Sequence, residues 1–478
     1  NKLFISFKPK QGMKYDKYDN ILKGVLKKIK PGKKETKNMR LFSNKLMATA
    51  SAILKPLNAK PMICGSVAKG TWLAGKNETD LFMIFSKSMP RDKFEKIGLE
   101  AAKAIVNEFN GQYSIAYAEH PYISSKITFN DTVFDVDIVP CYDVPASQIK
   151  SAVDRTPHHV KYVIKNLARP NDARLLKAFM KSAGCYGADV KTQGFSGYLC
   201  ELLIIYFGSF MDCIKEASKW RSGGIVLSIE GNKKRFMAEP KVPLIFLDPV
   251  DQNRNAAAAV SAKSLFMFVR AARDFIDSPS PSFFFERKIK PYSINEIKRA
   301  VHSRGTKIVA IRFRRPNIVD DTLYPQLRKC NRRIYALLEK NGFKTLQYAE
   351  YATTEECVLV FEFEAWLLSY IHKHLGPSIY DRHAAGFLEH YKEWNIGIEN
   401  DCWFVEHKRE FRTVEELIKD FISTKASREL GIPSSLVDVI KEAKLYSDED
   451  FFVLCQQLGT GFALFLRKLF ERDLNILV

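Results

Sequence analysis

Two short stretches constrain this chain more than any others: Glu78-Thr79-Asp80-Leu81-Phe82-Met83-Ile84-Phe85 and Thr132-Val133-Phe134-Asp135-Val136-Asp137-Ile138-Val139. Runs of aromatic and β-branched residues of this length read as strands. Residues i and i+2 of a strand point to the same side, about 6.7 Å apart. Glu78 and Asp80 therefore share a face, as do Asp135 and Asp137. A sheet built from both strands buries apolar side chains on one side and gathers carboxylates on the other, a costly arrangement that bound cations relieve. Hard divalent ions such as Mg²⁺ suit one or two carboxylates each and keep positions free for phosphate oxygens. Taken singly, either acid pair reads as a solvated strand face. Two pairs, with Gly65-Ser66 closing the apolar run Pro61-Met62-Ile63-Cys64, point instead to a place where backbone and hydroxyl meet a phosphate.

The remaining pattern is mixed. Residues 13 to 57 read as two helices broken at Pro31-Gly32-Lys33, and 91 to 109 as an amphipathic helix. With strands in 113–119, 122–129 and 132–142 they make an α/β module. From 151 to 285 the periodicity is helical, including all of 196–217 and 255–276. The Pro- and Ser-containing stretch 277–285 reads as a hinge. Beyond it a β-α-β-β order, with its helix over 321–341, predicts a small sheet with helices on one face. The expected domains are 1–150, 151–285 and 286–478, an α+β multidomain chain. The longest strongly apolar stretch, 202–211, is too short to cross a bilayer. No secretory signal is legible at the N-terminus. Nine scattered cysteines without a C-x-x-C pair argue for reduced thiols in a cytoplasmic setting and against structural zinc.

Charge narrows the partner. Lys and Arg number 74 against 54 acids, a formal net charge of +20, so a polyanion is expected. Residues 1 to 45 hold 14 Lys/Arg and 3 acids, and 307 to 333 hold 8 against 2. The first run reads as solvated helix faces. The second sets Arg312, Arg314, Arg315, Arg328 and Arg332 beside Tyr324 and Tyr335, a better match for phosphate contact with stacking.

The Gly-Ser turn, the E-x-D twelve residues later and a further single carboxylate resemble the nucleotidyltransferase superfamily that includes DNA polymerase beta. The longer strings Ser151-Ala-Val-Asp-Arg-Thr-Pro157, Arg174-Leu-Leu-Lys177, Gly194-Phe-Ser-Gly-Tyr-Leu-Cys-Glu-Leu-Leu203 and Leu247-Asp-Pro-Val-Asp-Gln-Asn-Arg254 resemble the archaeal, class I CCA-adding enzymes, from about residue 60 to at least 340. That resemblance implies a nucleotidyltransferase head, a helical central domain and a C-terminal α/β RNA-binding region. It also implies template-free addition of C, C and A to the 3′ end of transfer RNA from CTP and ATP. Glu78, Asp80 and Asp137 would carry two Mg²⁺ ions, and Ser66 and Lys69 would touch the triphosphate. Thr156, His159, Lys177 and Tyr186 would surround sugar and triphosphate, with Asp248 and Arg254 at the incoming base. The five arginines would hold the acceptor and T arms of the tRNA, and a homodimer is compatible with all of this. Two positions depart from the family: Thr79 replaces an apolar residue, and Lys69 stands where arginine is common, keeping the charge but losing the bidentate fork. Read without the resemblance, Thr156-Pro157 is a helix cap, His159 a surface histidine and Tyr186 a packing residue. The competing functions are a partial C- or A-adding enzyme or poly(A) polymerase, a small-molecule nucleotidyltransferase, and a catalytically silent RNA-binding protein.

Overall fold

A computed structural model describes residues 16–117, 119–149, 151–221, 224–229, 242–423 and 431–471. The first part of the basic N-terminal segment, residues 1–15, and position 118 of the expected strand 113–119 lie outside the described residues. The chain divides into two compact units between Arg287 and Lys288.

The first unit opens with helices α1 (Asp16–Ile29) and α2 (Lys33–Leu54). Strand β1 (Lys60–Cys64), the single turn α3 (Gly65–Ala68), β2 (Glu78–Ser86), α4 (Arg91–Asn107), β3 (Gln112–Tyr117), β4 (Pro121–Phe129) and β5 (Thr132–Asp143) follow. The strands form one sheet in the order β1-β2-β5-β4-β3, antiparallel except for the central β2/β5 pair. Alternation along these strands sorts their side chains. Leu81, Met83 and Phe85 of β2, with Phe134, Val136 and Ile138 of β5, are buried against Phe42 and Leu46 of α2 and Phe94 of α4. The intervening residues occupy the other face, where Phe82 and Cys141 are covered by Val153 and Val160 of α5 (Ala152–Asn166). At the open end of that same face stand the acids.

Beyond α5 come α6 (Pro170–Ser182), α7 (Gly197–Phe207), α8 (Phe210–Ala217), β6 (Ile225–Ser228), β7 (Leu244–Leu247) and α9 (Ala262–Asp277), which share one core with Val25 and Ile29 of α1. Helix α1 thus packs into the central region, whereas α2 packs into the head. Three expectations change here. The helical pattern over 196–217 breaks at Gly208, whose φ of +85° ends α7, and Ser209 caps α8 through the Asp212 N–H. The alanine run 256–259 is turns, because Ser261 caps α9 and the helix starts only at Ala262. The central region also carries a short parallel pair, β6 with β7, which a purely helical reading misses because each strand is only four residues long. No single described helix is long and apolar enough to cross a membrane. The apolar pair α7 and α8 is bent by 95°, and its apolar residues belong to this core.

The stretch read as a hinge is a packed turn. Pro281–Phe284 forms a 3₁₀ helix, and Phe283 and Phe284 are buried against Phe179, Phe210 and Phe275. Local Pro and Ser content marks where a helix stops, but it says nothing about three consecutive phenylalanines reaching a core.

The second unit contains α10 (Ile294–Arg304), β8 (Lys307–Arg314), α11 (Asp320–Lys340), β9 (Lys344–Ala352), β10 (Glu356–Ala365), β11 (Ile371–Ser378), α12 (Ala384–His390), β12 (Asn395–Glu399), β13 (Cys402–Lys408), α13 (Val414–Ser423), α14 (Ser434–Lys441), β14 (Lys444–Ser447) and α15 (Asp448–Phe470). The expected β-α-β-β order is present, within a sheet ordered β14-β8-β10-β9. Helices cover both of its faces rather than one. Val309, Ile311, Leu359 and Phe361 meet α11, α13 and α14, while Ile308, Ala310, Val358 and Val360 meet α10 and α15. The unbroken apolar runs of β8 and β10 are the signature of strands buried on both sides. A separate three-stranded sheet runs β11-β13-β12.

The packing of 281–284 makes a direct prediction. Phe284→Ala should lower the unfolding free energy of the first unit by about 3–5 kcal/mol, the usual loss for a buried Phe. A solvated hinge would lose almost nothing, so urea denaturation followed by tryptophan fluorescence decides between the two.

Candidate active site

The parallel register of β2 and β5 sets Glu78 opposite Asp135 and Asp80 opposite Asp137. Since the paired residues of neighbouring strands point the same way, four carboxylates line the open end of one sheet face. Asp80 and Asp137 are half-buried, and Glu78 and Asp135 exposed. Burial first, and then the neighbouring Asp137 charge, pushes the Asp80 carboxyl up to about 6. Burial also raises Asp137. Glu78 accepts a hydrogen bond from Lys76 at 3.0 Å, and Lys126 lies 3.4 Å from Asp135; of the inner pair, Asp137 is hydrogen-bonded by the Ser124 side chain.

Among the described residues no three His, Cys, Asp or Glu side chains stand close enough to hold a metal ion unaided. The donor set nevertheless fits a hard divalent cation. It is all-oxygen, its two inner carboxylates repel one another, and an ion of this class completes its sphere with substrate phosphate and water. Glu78, Asp80 and Asp137 are the residues that would hold it.

Beside the acids the chain turns at Gly65, φ +65°, and a Cβ there would come within 1.7 Å of Asp80 Oδ2. Only glycine allows the backbone to pass so near a carboxylate. Ser66 follows, partly exposed. Lys69, after this turn, directs Nζ to Glu201 Oε2 at 2.6 Å. Glu201, on α7, is fully buried, and its other oxygen accepts from Thr71 Oγ1 at 2.5 Å and from Lys177 Nζ, on α6, at 2.7 Å. Burial alone would raise the Glu201 pKa, but Lys177 and Lys69 overcome it and hold the carboxyl below its usual range. Tyr186 is adjacent: a Cβ at Gly197 would meet its hydroxyl at 3.1 Å and Lys177 Cε at 3.5 Å. Burial, with Cys200, Glu201 and Glu78 nearby, raises its phenol and keeps it protonated.

A second buried carboxylate organises the neighbouring wall. Asp248, at 0% exposure, accepts from His159 Nε2 at 2.9 Å, Arg254 Nη1 at 2.8 Å, and Tyr198 OH and the Val250 N–H at 3.0 Å each. Burial opposes its charge, yet these contacts hold Asp248 down to about 2. The His159 ring stacks on Tyr198 with centroids 3.8 Å apart, and burial lowers the imidazole pKa. Asp248 therefore clamps Arg254, which is still 34% exposed, rather than standing free beside it. Thr156 and Pro157 do not cap α5. Ser151 does, through the Asp154 N–H, and Thr156 lies one turn inside with Oγ1 on the Ala152 carbonyl at 3.4 Å.

Ser66, Lys69, Glu78, Asp80, Asp137, His159, Lys177, Tyr186, Asp248 and Arg254 all belong to the first unit. Sequence reasoning missed Glu201, Thr71 and Tyr198. A glutamate inside an apolar helix, in Leu199-Cys-Glu-Leu-Leu203, was the available signal, since such a charge is rarely buried without partners. Of the five arginines in the second unit, three are committed internally. Arg312 pairs with Glu356 at 2.5 Å, Arg315 with Asp320 at 2.7 Å and Arg328 with Glu350 at 3.0 Å. Arg314 and Arg332 are exposed. Arg314 lines a cleft of about 810 Å³ with Arg312, Arg315, Lys444 and Tyr446.

The Gly65 geometry is testable by contrast with Gly70, which has φ +62° but open space where a Cβ would sit. Gly70→Ala should cost about 1 kcal/mol, the conformational term alone. Gly65→Ala adds a clash and should cost about 2–4 kcal/mol. Parallel denaturation curves for the two variants check the difference.

Comparison with known proteins places this geometry in a family. The profile described as "tRNA nucleotidyltransferase, second domain" matches residues 171–285, and "CCA-adding enzyme, C-terminal domain" matches 304–442. The chain is 34% identical over 450 residues to a CCA-adding enzyme of Archaeoglobus fulgidus, covering 93% of this chain and 99% of that one. It is 36% identical over 423 residues to that of Methanocaldococcus jannaschii, covering 85% and 91%. For Methanosarcina acetivorans the figures are 35% over 463 residues, 94% and 98%. With similarity running through both units and nearly the whole length of these relatives, the chain belongs to the archaeal-type CCA-adding enzymes, the tRNA nucleotidyltransferases.

Proposed function

We propose that, in adding C, C and A to the 3′ end of tRNA, this chain uses Glu78, Asp80 and Asp137 to hold two Mg²⁺ ions at the junction of RNA 3′-hydroxyl and nucleotide triphosphate. The pairing of Asp80 with Asp137 across parallel strands carries this reading. Such ions would activate the hydroxyl and stabilise the charge on departing pyrophosphate. Everything else is the work of side chains. Ser66 offers a hydroxyl to the triphosphate beside a backbone kept slim by Gly65. Lys69 uses one of its three donors on Glu201, leaving two for phosphate oxygens. Lys177, with its hydrogen bonds directed to Thr71 and Glu201, supplies charge from behind, and Tyr186 donates from the edge.

His159, stacked on Tyr198, presents a flat wall to the sugar, with Thr156 on the same helix. Arg254, gripped at one nitrogen by Asp248, keeps its remaining N–H groups for the Watson–Crick edge of the base. A guanidinium fixed in this way donates to acceptors that cytosine and adenine share and leaves the donors of uracil and guanine unmatched. In the second unit, the arms of the tRNA meet exposed cations rather than all five arginines. Arg314, Arg332 and Lys444 are available, while Arg312, Arg315 and Arg328 shape the surface from within their ion pairs.

Two experiments test the reading. Purified protein, given Mg²⁺, CTP, ATP and tRNA lacking its 3′ end, should yield product whose sequenced terminus is C-C-A. Asp80→Ala and Asp137→Ala should each reduce incorporation by several orders of magnitude with tRNA affinity near that of the wild type. Wild-type rates in both variants would remove the carboxylate assignment, and a product of A or C alone would redefine the enzyme as a partial one. For RNA binding, the double variant Arg314→Ala/Lys444→Ala should flatten the log-log salt dependence of tRNA affinity by roughly one unit per lost phosphate contact. Its CTP affinity without RNA should stay the same. An unchanged slope would place the RNA elsewhere.

A further inference from the structure

Glu201 touches no substrate group in the chemistry described so far, yet three side-chain donors converge on it. It lies in α7 with 0% exposure, and both oxygens are occupied by three donors from two other segments. Lys69 reaches it from the turn after α3, Thr71 from two residues later, and Lys177 from α6. The side chains of Lys69 and Lys177 are themselves only 9% and 3% exposed. Two ammonium groups held this close in a dry site would repel each other, and one of them would shed its proton or swing to solvent. A single carboxylate between them offsets that repulsion and gives both ammonium groups one common acceptor.

We propose that Glu201 is a positioning residue for nucleotide addition, anchoring Lys69 and Lys177 at one point so that the ammonium of Lys69 is presented to the triphosphate in a fixed direction. This rests on the reading that Lys69 and Lys177 serve the triphosphate.

The surrounding contacts support a positioning role over mere packing. Tyr198 lies one turn before Glu201 on the same face of α7, with its ring 5.9 Å from Lys69 Nζ and its hydroxyl on Asp248. One helix thereby holds the lysines through Glu201 and, through Tyr198 and Asp248, the arginine offered to the base. Thr71 completes the geometry, since its hydroxyl accepts from Lys177 at 2.8 Å and donates to Glu201. Lysine at position 69 suits this arrangement: a point charge with rotating donors can share itself between a buried carboxylate and a ligand.

The test is a double-mutant cycle measured as kcat/KM for CTP at saturating tRNA, with KM for tRNA and thermal unfolding recorded alongside. Glu201→Gln should lower kcat/KM for CTP about tenfold or more, with the tRNA KM within about twofold of wild type. Lys69→Met should give a loss of its own, and adding Glu201→Gln to it should cost less than about threefold further, because the anchor acts through a group already gone. Full multiplicative losses, or wild-type kinetics in Glu201→Gln with only a lowered Tm, overturn the proposal and leave Glu201 a structural ion partner. Should Glu201→Gln fail to fold, Thr71→Val removes one donor to the same carboxylate. It should raise the CTP KM about threefold to tenfold, and an unchanged CTP KM overturns the proposal equally. A wild-type CTP KM in Lys69→Met would instead refute the triphosphate role of the lysine, and the inference about Glu201 with it. Loss of CTP kinetics in Lys69→Met with none in Glu201→Gln would refute the inference alone.

Discussion

The parallel pairing of β2 with β5 is the constraint on which the rest of the first unit depends. It is the one parallel ladder in a five-stranded sheet, and its register sets Asp80 directly against Asp137. A slip of one residue would turn Leu81 and Ile138 toward the open face and the acids into the core, so the register is enforced by the apolar side packed on α2 and α4. Burial of the inner acids, and then their mutual repulsion, raises the Asp80 carboxyl to about 6. Gly65 belongs to the same arrangement, because the turn that brings Ser66 beside the acids has to pass within contact distance of Asp80.

The same residue types are put to opposite uses a short distance away. Glu201 and Asp248 are buried more deeply than Asp80 or Asp137, yet their pKa values fall where those of the inner acids rise. Partners account for the difference. Glu201 has two lysines and a threonine, and Asp248 has a histidine, an arginine, a tyrosine and a backbone N–H. Carboxylates so well satisfied organise their surroundings, whereas carboxylates left facing each other seek a cation. Environment, rather than residue type, divides the acids of this site into anchors and ligands.

The second unit carries a related lesson about charge. A segment with eight cations and two acids suggests a freely basic surface, but the sheet brings acids from distant strands to several of those cations. Glu356 and Glu350 come from β10 and β9, and Asp320 from the start of α11. What remains for a polyanion is a smaller set, including Arg314 and Lys444, which lies on β14 about 130 residues further along the chain (by sequence numbering).

The sequence by itself determined β2 and β5 and their faces, because a period of two in apolar and acidic residues admits only one pleated arrangement. Through its long motifs it also determined the family. The same motifs singled out Glu78, Asp80, Asp137, Lys69, Lys177, Asp248 and Arg254 as candidates, all of which the fold sets in the first unit. Tertiary structure decided who holds whom. Glu201 meets Lys69 across 132 residues, and Asp248 meets His159 across 89, contacts that no local pattern encodes. It also turned a predicted hinge into part of a core, gave the second sheet helices on both faces, and moved Thr156-Pro157 from a cap to the interior of a helix. The physical reason is common to all of these. Periodicity reports which side of an element is apolar, whereas the partner of a buried charge or a phenylalanine is fixed only when separate elements pack together.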